Sequence, residues 1–236
     1  MKSGLVALAF GLALVSIFGT AEAAPIMSLF NSGVNASAQP LPNATIGDPH
    51  YKLVSVPSGS SVLRIITSAQ CSIGFCSSAY VGDDSLSTWI RPNNPGGLYD
   101  PTGYYDYQTT FSLTGLNPAT AQISGQWAVD NEGVDILING VSTGITLGAI
   151  GSPSNSTFDS FHSFLITSGF TSGINTLDFI TYNDVTNGCC NPTALRVGMT
   201  GTASVASEPA SFGVLAVGLI GLYITRVRRH GMSSSA

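Results

Sequence analysis

The amino-acid sequence predicts an all-β protein built as an antiparallel β-sandwich, preceded by an N-terminal signal helix and followed by a C-terminal apolar helix. Three observations carry that reading. Apolar and polar residues alternate with period two in several separate runs between Ala24 and Ser207. No long run in that region has the three-and-four spacing of an amphipathic helix. Clusters of Gly, Pro, Asn and Ser separate the runs, as turns separate the strands of a sandwich.

The N-terminus comes first. Met1-Lys-Ser is a short positive region, Leu5 to Phe18 is apolar apart from small residues, and Ala21-Glu22-Ala23 places small side chains at −3 and −1. This is the three-part form of a secretory signal peptide, with cleavage expected between Ala23 and Ala24. Residues 24–50 form an irregular lead-in to a single domain spanning 51–206.

Within the domain the strands are expected at Tyr51–Val56, Val62–Thr67, Asp106–Thr114, Ala121–Val129, Val134–Val141, Phe161–Thr167, Ile174–Tyr182 and Ala194–Ala203. Tyr107, Thr109, Phe111 and Leu113 share one face of the third run, and Asp106, Gln108, Thr110 and Ser112 share the other. Ala121, Ile123, Trp127 and Val129 continue the pattern after the turn-like Gly115-Leu-Asn-Pro118. Such strands are half-buried, apolar side inward. Asn139-Gly140 is the clearest hairpin signal, because both residue types tolerate the positive φ of a type I′ turn.

The C-terminal tail, 207–236, runs from Glu208-Pro209 through an uncharged apolar stretch to Arg226, Arg228 and Arg229. Its 17 uncharged residues, Pro209 to Thr225, would span about 25 Å as a helix. The stretch has no polar face, and the arginines favour a cytoplasmic end. It therefore reads as a membrane hold outside the fold.

Charge and cysteine content restrict function. Between Ala24 and Ser207 four basic residues stand against eleven acidic ones, and no basic stripe exists to bind nucleic acid. Cys71, Cys76, Cys189 and Cys190 suggest two disulfides in an oxidising compartment, with three connectivities open. Cys71 and Cys76 can close a small loop; cross-links from 71/76 to 189/190 are the alternative.

Two resemblances extend the reading. Gly125-Gln-Trp-Ala-Val-Asp130-Asn131, Val134-Asp-Ile-Leu-Ile-Asn139-Gly140, Phe170-Thr-Ser-Gly173-Ile-Asn175-Thr-Leu177 and Asn191-Pro-Thr-Ala-Leu195-Arg196-Val197 follow in that order. The succession resembles the galactose-binding-like jelly roll of carbohydrate-binding modules, which implies a non-catalytic domain that binds glycans. The tail is similar to the PEP-CTERM sorting signal of exported bacterial proteins, although Ser207 stands where that motif has its first proline. That resemblance implies an exosortase-like processing enzyme as partner, with exopolysaccharide in the cell envelope or matrix as the setting.

The candidate glycan site is the segment Trp89 to Asp106. Trp89, Tyr99, Tyr104 and Tyr105 offer aromatic faces for sugar rings, and Arg91, Asn93, Asn94 and Asp100 offer hydrogen bonds to hydroxyls. Asp130, Asn131, Glu132 and Asp135 cluster oxygen ligands of the kind Ca²⁺ prefers, and no other cofactor is expected. No enzyme is expected: no carboxylate pair or nucleophile elbow stands out, and His50 and His162 read as structural.

Overall fold

A computed structural model describes residues 22–67, 80–94, 99–151, 157–185, 191–206 and 222–223. The signal segment up to residue 21 and the four cysteines lie outside these residues, as do Glu208, Pro209, Arg226, Arg228 and Arg229. Of the tail, Leu222 and Tyr223 are described and are helical. Among the described residues no helix is long and apolar enough to cross a membrane.

The domain is all-β. Its strands are β1 (Ala23–Pro25), β2 (Tyr51–Ser55), β3 (Leu63–Ile66), β4 (Trp89–Pro92), β5 (Gly103–Ser112), β6 (Gln122–Asp130), β7 (Glu132–Ile138), β8 (Val141–Ser142), β9 (His162–Ile166), β10 (Ile174–Asn183) and β11 (Ala194–Ser204). Two antiparallel sheets result. One has the order β3-β4-β11-β6-β9, with β1 also paired to β11, and the other has the order β2-β5-β10-β7-β8.

Each expected strand is present within a few residues of its predicted bounds. Asn139 and Gly140 have φ values of +53° and +76°, and Ile138 pairs with Val141 across them. Three strands were not anticipated. β1 and β8 are too short to show a period, and β4 falls in the segment read as a surface loop.

The period-two pattern decides which side chains are inward. Tyr105, Tyr107 and Phe111 of β5 meet Leu177 and Phe179 of β10, with Ile123, Trp127 and Val129 of β6 and Leu195 and Val197 of β11. The two sheets therefore share one apolar core, dominated by fully buried aromatics. Trp127 needs room that glycine alone leaves: a Cβ on Gly133 would lie 2.3 Å from its ring.

The lead-in is more tightly integrated than an irregular edge. Ala24 and Pro25 pair with Ala203 and Thr202, Ile26 is buried, and Ser32 Oγ donates to the carbonyl of Thr88 at 2.9 Å. Asp48 then accepts the backbone N–H groups of Gly33, His50 and Tyr51, so a single carboxylate turns the chain into β2.

The outward face of the six-stranded sheet has its own cover. Ile66, Tyr80, Trp89, Ala128 and Ala194 form a second apolar cluster, closed over by Val81, Phe158 and Phe161. Arg196, wholly buried beside it, donates to Ser87 Oγ and to the carbonyls of Val81 and Gly82. Its guanidinium pairs with Asp84 at 2.8 Å and lies 5.0 Å from the Phe161 ring centroid.

Candidate functional site

The structure sorts the aromatic segment into an internal lock and an exposed remainder. Trp89 is fully buried, edge-on to Tyr80 at 4.6 Å, and its indole N–H donates to the Val81 carbonyl. Tyr105 is equally buried, and its hydroxyl donates to the Pro101 carbonyl at 2.7 Å. Neither offers a ring face to a ligand.

Arg91 and Asp100 form a buried ion pair at 2.6 Å. Asp100 also accepts from Asn94 Nδ2 at 2.6 Å and from the Thr193 backbone at 2.9 Å. Asn94 Oδ1 in turn holds the Ser60 N–H, and the Asn93 N–H donates to the Val62 carbonyl. Arg91, Asn94 and Asp100 are thus brought together, but as fasteners of β3, β4 and β11. Tyr99 and Tyr104 remain on the surface, 58% and 54% exposed.

Tyr104 stands on the outward face of the five-stranded sheet. Antiparallel pairing puts it directly opposite Tyr182 of β10, and the two rings meet edge-on with centroids 4.9 Å apart. Around this pair the outward positions form rows across three strands. Tyr104, Tyr182 and Glu132 make the first row, and Asp106, Ile180 and Asp135 the second. Gln108, Asp178 and Leu137 make the third, with Lys52 of β2 beside Gln108. Directly opposed residues have Cβ atoms about 5 Å apart, so the face sets polar groups at sugar-sized intervals around two phenol rings.

Two carboxyl groups of this face, Asp106 and Glu132, are perturbed. Asp178 accepts from Gln108 Nε2 at 2.6 Å. Asp106 has one buried oxygen without a partner, and burial, reinforced by the charge of Asp178, pushes its carboxyl up to about 6. Glu132 is 4% exposed, and its Oε2 has no partner. Burial, reinforced by Asp184, pushes it up to about 7. Glu132 lines a cleft of about 260 Å³ with Gly133, Val134, Thr146 and Gly148.

The residues expected to hold Ca²⁺ are occupied separately. The Asp130 carboxylate accepts from the Tyr80 hydroxyl and from Asn131 Nδ2. Asn131 Oδ1 accepts the Asp184 N–H at 3.0 Å, and Asp135 accepts the Gly144 N–H at 3.2 Å. Glu132 lies against the cleft instead. Among the described residues no three His, Cys, Asp or Glu side chains are grouped to hold a metal ion. His50 stacks on Phe30 at 3.6 Å, a packing contact.

A groove of about 430 Å³ crosses the other sheet, lined by Asn31, Asp84, Leu86, Gln126, Met199 and Thr200 among others. It presents no exposed aromatic ring. The Tyr104–Tyr182 face is therefore the better candidate for sugar.

Sequence reasoning missed Tyr182, Asp106, Gln108 and Asp178 as site residues. The signal was present in the alternation along β5: if Tyr107 faces in, so does Tyr105, and Tyr104 with Asp106 faces out. No protein-family model and no curated protein sequence matches this chain.

Proposed function

We propose that this protein is an exported β-sandwich that binds a glycan or exopolysaccharide at the outward face of its five-stranded sheet, without turning it over. The observation that carries the reading is the half-exposed Tyr104 ring packed against Tyr182 among Gln108, Asp106 and Asp178. A pyranose has an apolar face that stacks on a phenol and an equatorial belt of hydroxyls that amides and carboxylates bond.

Binding is favoured over hydrolysis by placement. Glycoside hydrolysis uses two carboxyl groups that flank the scissile bond. Asp106, Asp178 and Asp135 instead share one layer on a single sheet face. The galactose-binding-like order of motifs, and the likeness of the tail to a PEP-CTERM signal, support delivery to the envelope or matrix and processing by an exosortase-like membrane enzyme.

A glycan array probed with the full chain tests the reading. Selective retention of a subset of glycans is expected. A uniformly blank array would favour a structural matrix protein with no specific sugar. Intact-mass measurement of the mature protein checks the delivery route, with removal of residues 1–23 and cleavage near Glu208-Pro209 expected.

A further inference from the structure

We propose that the glycan taken by this face is cationic: a polymer of amino sugars carrying free, protonated amines. The proposal rests on the glycan-binding reading above and names its ligand class.

The five strands of this sheet hold four carboxylates, Asp106, Glu132, Asp135 and Asp178, against one basic residue, Lys52. Surface carboxylates usually keep their charge by staying in water, and Glu132 and Asp106 depart from that. Glu132 is nine-tenths buried with Oε2 unpartnered, and Asp106 also has a buried, unpartnered oxygen. A buried polar atom with no partner costs free energy that an arriving donor recovers. Both oxygens are acceptors once ionised, so the missing partner is a donor, and a charged one gains most.

The spacing selects among cations. A single metal ion needs its ligands converging within about 2.6 Å of one point, and the described residues contain no such group. Asp106 and Asp135 instead flank Ile180 on its two neighbouring strands, and Glu132 stands beside Tyr182 one row away. Several separated charges suit a chain with a positive group on each unit. A protonated amino sugar supplies three N–H donors, an apolar ring face for Tyr104, and a cation near the faces of two phenols. Burial first, and then a neighbouring carboxylate, raises the carboxyls of Asp106 and Glu132.

Calorimetric titration of the full chain with glucosamine oligomers, their N-acetylated counterparts of equal length, and poly-lysine tests this. The glucosamine oligomers should bind, and N-acetylation should weaken binding by about fivefold for each paired carboxylate. Raising the salt to about 0.5 M should weaken the glucosamine complex and leave the N-acetylated one unchanged, because salt screens attraction between charges. The double variant Asp106→Asn/Asp178→Asn should lose the preference for free amines, while Tyr104→Ala should weaken glucosamine and not poly-lysine. Equal affinity for the acetylated oligomers would overturn the proposal and leave the glycan reading standing. Poly-lysine bound as tightly, with Tyr104→Ala without effect on either polymer, would overturn it in favour of a basic protein partner. Absence of binding to both sugars, together with a blank glycan array, would overturn this proposal and the glycan reading alike. The salt and acetylation comparisons use the unaltered chain, so they hold even if a variant fails to fold.

Discussion

Arg91 and Asp100 meet at 2.6 Å in a pair almost closed to solvent, with the carboxylate also holding Asn94 and the Thr193 N–H. One carboxylate thus ties β4 to the residue that leads into β11. Removing the cation alone leaves a buried anion, so Arg91→Met should destabilise the domain by about 3–5 kcal/mol. Urea unfolding followed by tryptophan fluorescence checks this; a loss within experimental error would place the pair in water.

Arg196 predicts a second penalty. Its guanidinium reaches Ser87 Oγ, the Val81 and Gly82 carbonyls and Asp84 at once. Lysine keeps the charge but not the planar fork. Arg196→Lys should cost at least about 1.5 kcal/mol, the net worth of one charged hydrogen bond. The same substitution should increase proteolytic cleavage in the 81–87 segment, read by limited proteolysis.

Two glycines separate two mechanisms. Gly133→Ala would put a Cβ 2.3 Å from Trp127, and overpacking of this kind costs about 1–3 kcal/mol. Gly140→Ala meets nothing within 4 Å, but φ there is +76°. Left-handed backbone alone should cost about 1 kcal/mol. Thermal melts of both variants should show the Gly133 substitution as the more damaging.

Stability should depend on pH through Glu132 and Asp106. Both titrate higher in the folded chain, at about 7 and about 6, than the ordinary 4.5 and 3.8. The folded state therefore binds these protons more tightly than the unfolded chain does. Stability contributed by the protonated forms is present at low pH and is lost as pH rises from about 4 through about 7. The melting temperature should be higher at pH 5 than at pH 8, and Glu132→Gln should flatten most of that difference. A melting temperature that rises with pH over this range would contradict the assignment.

The alternation along β5, β6, β10 and β11 made the strands and their inward faces readable, because one face of each is buried against the other sheet. β4 was hidden by the prolines and glycines around it, and by Trp89. That ring points outward from its sheet, yet it is buried because residues 80–81 and 158–161 cover it. Local period cannot show such a cover. The tyrosine pair was half visible: alternation places Tyr104 outward, but only the register of β5 against β10 sets Tyr182 beside it. The same register assembles the carboxylates, whose distance along the chain conceals their proximity.

Affinity of the full chain for native exopolysaccharide, compared between the unaltered protein and Tyr104→Ala/Tyr182→Ala by retardation in polysaccharide-containing native gels, shows whether this tyrosine pair holds sugar. Both rings lie outside the core clusters, so the variant should keep its melting temperature within a few degrees. It should lose about fivefold or more in affinity, the scale of one aromatic stacking contact. A folded variant retarded as strongly as the unaltered protein would contradict a sugar site at the pair.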